Sequence, residues 1–240
     1  MLDLKKVKGL LFDYGGTIDS NGMHWAEVIW MAYEALQVPV DKAAFREAYV
    51  FAERTLGKNP IIQPEHTFRD MLYLKCDLQI GWLMEQEKLR EADIACRLPE
   101  QLGEWCYDYA LRAIENARPL LESLHERYPF VLVSNFYGNI ESVLKDFRLH
   151  HLFPVIIESA VVGVRKPDPQ IFRLGIEAIG LPAENCVVIG DSYDKDIVPA
   201  TALGCQTIWL KSIGWTPYRG DETADAVIAD FKALTLLLEV

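Results

Sequence analysis

The sequence predicts an α/β fold, a doubly wound parallel sheet into which a lobe made only of helices is inserted. The first observation is an apolar run at residues 7–12, which has the length and composition of a buried parallel strand. The second is the helical spacing of the apolar residues from Trp25 to about Ala117. The third is an alternation of short strands and helices from residue 118 onward. Because a lone strand needs partner strands, the helical block interrupts one sheet domain after its first strand.

Three helices are predicted within the insertion from their apolar stripes and end signals. Asp41 is a suitable N-cap for the first helix, which Gly57 would end. A second helix follows the loop 59–66 and has its apolar residues between 68 and 82, and a third extends from Pro99 to Ala117. We expect the aromatic residues of these stripes to lie in the core of the lobe rather than on a cofactor.

Two breaks in the pattern bound the insertion. The turn-forming cluster Asp-Ser-Asn-Gly at 19–22 is its first hinge. The pair Arg118–Pro119 marks its end, because the β-then-α rhythm begins there. The predicted domains are therefore a core made of residues 1–19 and 118–240 and a helical cap made of residues 20–117.

Further strands and helices alternate in the second half of the chain. Right-handed crossovers between them give the doubly wound arrangement. The predicted strands are 130–133, 155–158, 186–189, 206–210 and 226–228, and the predicted helices lie near 120–128, 139–148, 168–179 and 194–203.

The charge of the chain limits the classes of partner. Of 240 residues, 24 are Lys or Arg and 35 are Asp or Glu, which gives a formal net charge of −11. Nucleic acids and anionic membranes both bind basic surfaces, so neither is expected as a partner. The sequence lacks an apolar run long enough to cross a bilayer or to form the core of a signal peptide.

The five cysteines are scattered and lack a C-x-x-C pair. This pattern favours a reducing compartment over a disulfide frame or a structural zinc site. We therefore expect a cytoplasmic protein. It would be a monomer or a homodimer, since the six tryptophans suit an apolar interface and a buried core equally well.

The most informative stretch is LFDYGGTID at residues 11–19. Asp13 directly follows the first strand, where open α/β sheets bind their ligands. Gly15 and Gly16 let the backbone turn close to whatever Asp13 faces, and their amides can form a small anion-binding nest beside Thr17. Taken alone, the pattern is equally typical of an aspartate that caps a turn or a helix.

Other polar residues occupy the ends of later strands or loops. Ser134 and Asn135 follow VLV, Lys166 lies in GVRKPDP, and Asp191 and Asp196 lie in VVIGDSYDKD. Singly, the serine could cap a helix, the lysine could be a solvated cation, and the aspartates could cap a helix and face water. Their order along the chain, each at the carboxyl end of a strand or in the following loop, predicts that they converge with the first aspartate at one edge of the sheet.

This ordered set resembles the pattern of the haloacid dehalogenase superfamily of hydrolases: D-x-D-x-T, then Ser or Thr, then Lys, then G-D-x-x-x-D. The resemblance covers essentially the whole chain and implies a Rossmann-like core with a helical cap inserted after the first strand. By position, Asp13 would be the nucleophile that forms an aspartyl phosphate. Ser134 would hydrogen-bond a phosphoryl oxygen, and Lys166 would balance the charge between nucleophile and phosphate.

The resemblance also implies Mg²⁺ as the cofactor and a small phosphorylated metabolite as the substrate. The metal ligands would be Asp13, Asp191 and the backbone carbonyl of Gly15, with Asp196 acting directly or through water. Magnesium binds few protein carboxylates together with waters and substrate oxygens, which suits this set. Phosphoryl transfer needs chiefly an in-line nucleophile and neutralised charge. The expected phosphate site comprises Gly16, Thr17, Ser134, Asn135 and Lys166.

The chain departs from the family at Gly15, where phosphatases carry a second aspartate that protonates the leaving group and activates water. General acid–base help contributes about 10²- to 10⁴-fold, so slow hydrolysis of alkyl phosphates is one expectation. A second is an acyl phosphate, whose leaving group needs no proton. A third is phosphonate cleavage through a Schiff base on a cap lysine, for which Lys58 is the candidate. A fourth is a cap histidine, His24 or His66, although an ordinary structural or surface role explains each of these side chains more simply.

Two other activities stay open. Haloacid dehalogenation also proceeds without the second aspartate, but the acidic residues after the fourth strand would repel a carboxylate substrate unless a cation were bound. Alternatively, the chain binds phosphate and magnesium without useful turnover and acts by binding a ligand or partner.

Overall fold

A single parallel sheet organises the molecule, whose computed structural model describes residues 1–91, 95–216, 220–221 and 223–239. The sheet has six strands in the order β3-β2-β1-β4-β5-β6, and every pairing is parallel. The predicted fold class is confirmed, and the strand starting at residue 7 in the prediction begins at Gly9. The strands are β1 Gly9–Phe12, β2 Phe130–Ser134, β3 Val155–Glu158, β4 Cys186–Gly190, β5 Gln206–Leu210 and β6 Ala226–Ile228.

Helices form the lobe and flank the sheet. One turn of π-helix, Tyr193–Ile197, and the short helix after it replace the single helix predicted at 194–203. The helices are α1 Trp25–Ala35, α2 Lys42–Lys58, α3 Phe68–Glu85, α4 Leu98–His125, α5 Ile140–Asp146, α6 Ser159–Val162, α7 Gln170–Ile179, α8 Val198–Ala202 and α9 Leu234–Leu237.

The central position of β1 creates the crevice at which a site can form. The chain passes from β1 to β2 and β3 on one side and then returns to β4 on the other side. Phe12 is aligned with Leu132 of β2 and Ile189 of β4, so the three strands end at similar levels. Ligands of open α/β sheets bind where the strand order reverses in this way, which here is the carboxyl end of β1.

The two faces of the sheet are covered by different layers. Leu10 and Phe12 belong to a hydrophobic cluster that continues into the helical lobe, whereas Leu11 packs in a second cluster with Phe172 of α7. The ring of Phe12 lies 4.8 Å from that of Phe130, centroid to centroid. The lobe and one face of the sheet therefore share a continuous core.

The helix beginning at Asp41 is confirmed, and its predicted end is wrong by one residue. The Asp41 carboxylate accepts a hydrogen bond from the Ala44 amide at 2.8 Å. The helix passes through Gly57 and ends at Lys58. Asn59 ends it, because its amide N–H and its side-chain amide both donate to the carbonyl of Thr55.

The prediction of a break at Arg118–Pro119 is wrong, because α4 is continuous from Leu98 to His125 and contains Pro119. A proline inside a helix removes one backbone hydrogen bond and strains the preceding turn. Burial of Leu121 and Leu124 against the sheet side of the core offsets that loss. One helix therefore belongs to both the lobe and the sheet domain.

In the part of the chain that the structure describes, no helix combines the length and the apolar character needed to cross a bilayer.

Four of the cysteines, Cys76, Cys106, Cys186 and Cys205, are buried, and Cys96 is exposed.

Candidate active site

Asp13 directly follows β1, and both of its carboxylate oxygens accept hydrogen bonds. Oδ1 accepts from the Lys166 ammonium at 2.6 Å, and Oδ2 accepts from the Thr17 hydroxyl at 2.9 Å. The residue is only 5% exposed. These contacts fix the plane of the carboxylate, which is the arrangement that an in-line nucleophile requires.

Lys166 is buried between two aspartates. Its ammonium also donates to Asp196 Oδ1 at 2.7 Å. The Asn135 side chain holds the lysine backbone, accepting from its N–H at 2.9 Å and donating to its carbonyl at 3.0 Å. Burial by itself would lower the pKa of Lys166, but the charges of Asp13 and Asp196 outweigh it and hold that pKa above its ordinary value. The structure thus gives Asn135 a supporting contact with the lysine loop.

Thr17 joins the ends of β1 and β4. Its hydroxyl accepts from the amide of Asp191 at 3.0 Å, while the Asp191 side chain lies 3.2 Å from the same oxygen. The π-helical turn then brings Asp196 back, so that its carboxylate accepts from the Ser192 amide at 3.0 Å. A π-helical turn is a common device at functional sites, and here it places two aspartates of one loop in the crevice.

Three carboxylates form a candidate metal site. Asp13, Asp191 and Asp196 each offer an oxygen within 4.8 Å of the others. Burial first, and then the neighbouring carboxylates, raise the pKa of Asp191 well above its ordinary value and that of Asp196 to about 6. When all three are ionised, the Lys166 ammonium leaves two negative charges uncompensated. A divalent cation with a preference for oxygen ligands fits this donor set.

Two glycines make room for these carboxylates. A Cβ on Gly16 would lie 2.6 Å from Asp191 Oδ1, and the residue has a φ of +100°. A Cβ on Gly190 would lie 2.5 Å from the Cβ of Asp196. Gly15 differs, since a Cβ built there meets no atom within 4 Å. The second aspartate of the phosphatase pattern would therefore have space at position 15.

The crevice opens into a cavity of about 800 Å³ between the sheet and the helical lobe. Asp13, Gly15, Gly16, Lys166 and both loop aspartates line it, together with side chains of α2 and α3. Asn135 lies in its wall, and Ser134 is buried at the end of β2. The predicted site residues thus converge on one edge of the sheet.

The two histidines considered as replacements for the missing acid and the lysine considered for a Schiff base lie in different places. His24 lines the cavity, where its Nδ1 accepts from the amide of Ala26 at 3.1 Å. Burial, followed by the charge of Lys195, lowers the pKa of His24 to about 4, so the ring is neutral at pH 7 and is not an acid there. Lys58 is exposed at the cavity mouth, and His66 lies in a separate surface depression beside Arg69.

Asp19, assigned from the sequence to a hinge, is a fully buried residue of the cavity wall. Its oxygens accept from the Gly16 amide at 2.7 Å and from the indole N–H of Trp25 at 2.9 Å. Burial raises the pKa of this carboxyl to about 8, although both hydrogen bonds oppose the shift. Asp19 therefore holds the turn that carries Gly16.

The lobe also contributes a buried polar group that sequence reasoning missed. The Lys75 ammonium of α3 lies 2.8 Å from Glu53 Oε1 of α2, and the hydroxyl of Tyr137 donates to Glu53 Oε2 at 2.9 Å. Burial would lower the pKa of Lys75 and raise that of Glu53, but their mutual attraction outweighs it in both residues. Because Tyr137 follows β2, this group ties the lobe to the sheet beside the cavity.

Comparison with known proteins gives one family. A model of haloacid dehalogenase-like hydrolases matches residues 7–204. The phosphoserine phosphatase of Thermus thermophilus is 31% identical over 88 residues, which cover 37% of this chain and 35% of that protein. The glyceraldehyde 3-phosphate phosphatase of Methanocaldococcus jannaschii is 35% identical over 86 residues, which cover 36% of this chain and 38% of that protein. Each match thus spans little more than a third of the relative.

A solved structure supports the fold across the whole chain. A dehalogenase crystallised with an intermediate complex aligns with a TM-score of 0.66 at 15% identity and covers 99% of both chains. At that identity the likeness concerns the fold alone.

Gly16→Ala should lower the free energy of unfolding by about 2 kcal/mol, because a Cβ at positive φ is strained and would press on Asp191. Gly15→Ala is the matched control, since its Cβ meets open space. Urea denaturation of both variants measures the difference. Equal destabilisation of the two would contradict the packing described for Gly16.

Lys75→Met should lower the free energy of unfolding by about 2 kcal/mol, because it leaves the half-buried Glu53 carboxylate without its cation. In the double variant with Glu53→Gln the loss should be smaller than the sum of the two single losses. Lys145→Met removes the exposed partner of Glu141 and serves as a control that should change stability much less. Additive losses at positions 53 and 75 would show that the pair is not coupled.

Proposed function

The chain belongs to the haloacid dehalogenase-like hydrolase family, and on this basis we propose that it hydrolyses a small phosphorylated metabolite through a phosphoryl group on Asp13. One observation carries the proposal. The Asp13 carboxylate, oriented by Lys166 and Thr17, lies at the floor of a cavity large enough for a metabolite. The relatives named as phosphatases support the same class of reaction.

The proposed reaction has two displacements. In the first, an oxygen of Asp13 attacks phosphorus, the bond from phosphorus to the leaving oxygen breaks, and its electron pair stays on that oxygen. In the second, water attacks the phosphoryl group on Asp13, which releases inorganic phosphate and a proton and restores the carboxylate. Lys166 lies next to the attacking oxygen and would offset the negative charge that gathers there.

We propose Mg²⁺ as the cofactor, held by Asp13, Asp191, Asp196 and the carbonyl of Gly15. When bound, this ion would neutralise charge on the phosphoryl oxygens. The candidates for contacts to the phosphate are still Ser134, Gly16 and Thr17. Two of them already donate hydrogen bonds within the protein. The Gly16 amide and the Thr17 hydroxyl are already bonded to Asp19 and Asp13, so each would have to share its proton.

The leaving group is the part of the substrate that Gly15 affects most. An alkoxide needs a proton as it departs, and position 15 carries no acid. His24 is neutral at pH 7, Lys75 is paired with Glu53, and both oxygens of Asp19 already accept hydrogen bonds from Gly16 and Trp25. The site therefore suits a leaving group that departs without protonation, such as the carboxylate of an acyl phosphate, better than a simple alcohol.

The helical lobe, residues 20–117, is the proposed cap that selects the substrate. Its second boundary with the core lies inside the continuous helix α4. We propose a cytoplasmic enzyme.

A second candidate function, favoured by Gly15, is a phosphate-binding protein with little turnover. Schiff-base chemistry is less well supported, because its candidate, Lys58, is exposed at the mouth of the cavity, whereas Asp13 is buried at its floor.

Phosphate release from a panel of phosphorylated metabolites, including acyl phosphates, tests the proposal. We expect activity with Mg²⁺, a loss of at least about 10²-fold in EDTA, and recovery when Mg²⁺ is restored. Asp13→Asn should abolish turnover, whereas Asp77→Asn, at an exposed residue of α3, should retain it. A full rate in EDTA or in Asp13→Asn would overturn the mechanism.

Gly15→Asp tests the role of the missing acid. The new side chain has space, and a positioned carboxyl should raise kcat on alkyl phosphates by about 10²-fold or more. Gly15→Asn has the same shape but cannot exchange a proton, so it should give no such gain. Equal rates in the two variants would mean that protonation of the leaving group does not limit the reaction. A gain starting from undetectable activity would favour the binding function for the native chain.

A further inference from the structure

The wall of the cavity differs in charge from the rest of the molecule. Acidic residues outnumber basic ones by 35 to 24 in the whole chain. Among the described residues that line the cavity the numbers are equal, with six carboxylates and six Lys or Arg side chains. The cavity wall is therefore less acidic than the chain as a whole, and the position of its cations needs an explanation.

Two of the six cations are accounted for by pairing within the wall. Lys166 contacts Asp13 and Asp196, and Lys75 contacts Glu53. Both ammonium groups are buried. Their charge is therefore already used by carboxylates of the protein.

The other four cations lie at the mouth and come from both sides of it. Arg54 and Lys58 lie one turn apart at the end of α2, Arg165 precedes Lys166, and Lys195 lies on the π-helical turn. All four are exposed, and we call them the rim cations. Within the described ranges, no carboxylate lies within 4.0 Å of any of their charged groups. Burial, followed by the nearby charge of Lys195, lowers the pKa of His24, which agrees with the position of Lys195 beside the cavity.

We infer that the cavity takes a substrate with two anionic groups, the phosphoryl group at Asp13 and a second phosphate or carboxylate held by the rim cations. This inference rests on the proposed function, since it assigns the far end of the same substrate. Unpaired cations that face a cavity in an acidic protein attract an anion and raise its local concentration. Guanidinium and ammonium groups are the side chains that bind phosphate and carboxylate oxygens best.

The arrangement also explains how the lobe takes part in selection. Two rim cations belong to α2 and two to loops of the sheet domain, so an anion between them contacts both sides. A neutral tail would leave these charges to water and gain nothing from them. Because the rim cations are exposed, their attraction should weaken at high ionic strength, where the Debye length is short.

A set of matched compounds tests the inference: an alkanediol monophosphate with a hydroxyl tail, the corresponding bisphosphate and the corresponding ω-carboxylate, each at several chain lengths. We expect both compounds that carry a second anionic group to have a KM about tenfold below that of the hydroxyl compound, with the difference shrinking in salt. The bisphosphate and carboxylate arms distinguish which anion the rim prefers. Equal KM values for all three at every length would overturn the inference.

Two double variants locate the effect. Arg54→Gln with Lys58→Gln removes the α2 pair, and Arg165→Gln with Lys195→Gln removes the pair on the sheet loops. Each should reduce the ratio of KM values several-fold. Lys5→Gln with Lys6→Gln removes the same charge from exposed residues outside the cavity wall and should leave the ratio unchanged. A ratio that survives in both rim variants would place the second anion elsewhere.

Calorimetric binding of the same compounds to the wild-type protein with Mg²⁺ separates this inference from the proposed hydrolysis. If none of the compounds is turned over, the hydrolase proposal fails for this class, and the binding ratio still reports on the rim. Tighter binding of the bisphosphate or the ω-carboxylate than of the hydroxyl compound would then support the inference. Equal affinities for all three, or no binding of the bisphosphate and the ω-carboxylate, would overturn it.

Discussion

The contact on which the rest of the site depends is the buried ammonium of Lys166 between the carboxylates of Asp13 and Asp196. Like charges brought this close in a crevice of low polarity repel strongly, and one lysine offsets only part of that repulsion. Folding therefore creates a place with unsatisfied negative charge, at the one edge of the sheet where the strand order reverses. A divalent cation would complete the balance and make the crevice suited to the proposed phosphoryl group. Burial first, and then this excess of negative charge, raises the pKa values of Asp191 and Asp196.

Backbone shape and charge are coupled in this crevice. Gly16 and Gly190 have no Cβ, and the space that a Cβ would fill holds the side chains of Asp191 and Asp196. The π-helical turn serves the same end, because it returns Asp196 toward the ammonium six residues after the end of β4. The carboxylates are thus held by the shape of two loops, which follow the neighbouring strands β1 and β4, and the register of these strands is set by apolar burial. Strain in either loop would be transmitted directly to the proposed metal ligands.

Much of this could be predicted from the sequence because apolar runs locate the strands and the strand ends locate the polar residues. The convergence of Asp13, Lys166 and Asp191 follows from the parallel topology alone. The ion pair of Lys75 could not be predicted, because the sequence shows only a charged residue on the apolar stripe of α3. Its partner Glu53 lies on α2, and residue spacing does not predict how the two helices cross. Asp19 was missed because an acid in a turn cluster looks exposed, whereas Gly16 and Trp25 bury it. At Pro119 the tendency of proline to interrupt a helix was overridden by packing, since the leucines that follow it lie in the core.

The contributions of the lobe divide into attraction and support rather than proton transfer. His24 is held neutral, Lys75 is committed to Glu53, and the side chain that phosphatases place at position 15 is absent. The four rim cations lie at the mouth, where they are exposed and well placed to attract an anion. The proposed reaction would gain rate from orientation and charge at phosphorus, and it would depend on the substrate to supply a leaving group that is already stable as an anion. Glycine at position 15 and cations at the rim are thus consistent with each other, since both suit a substrate that is rich in negative charge.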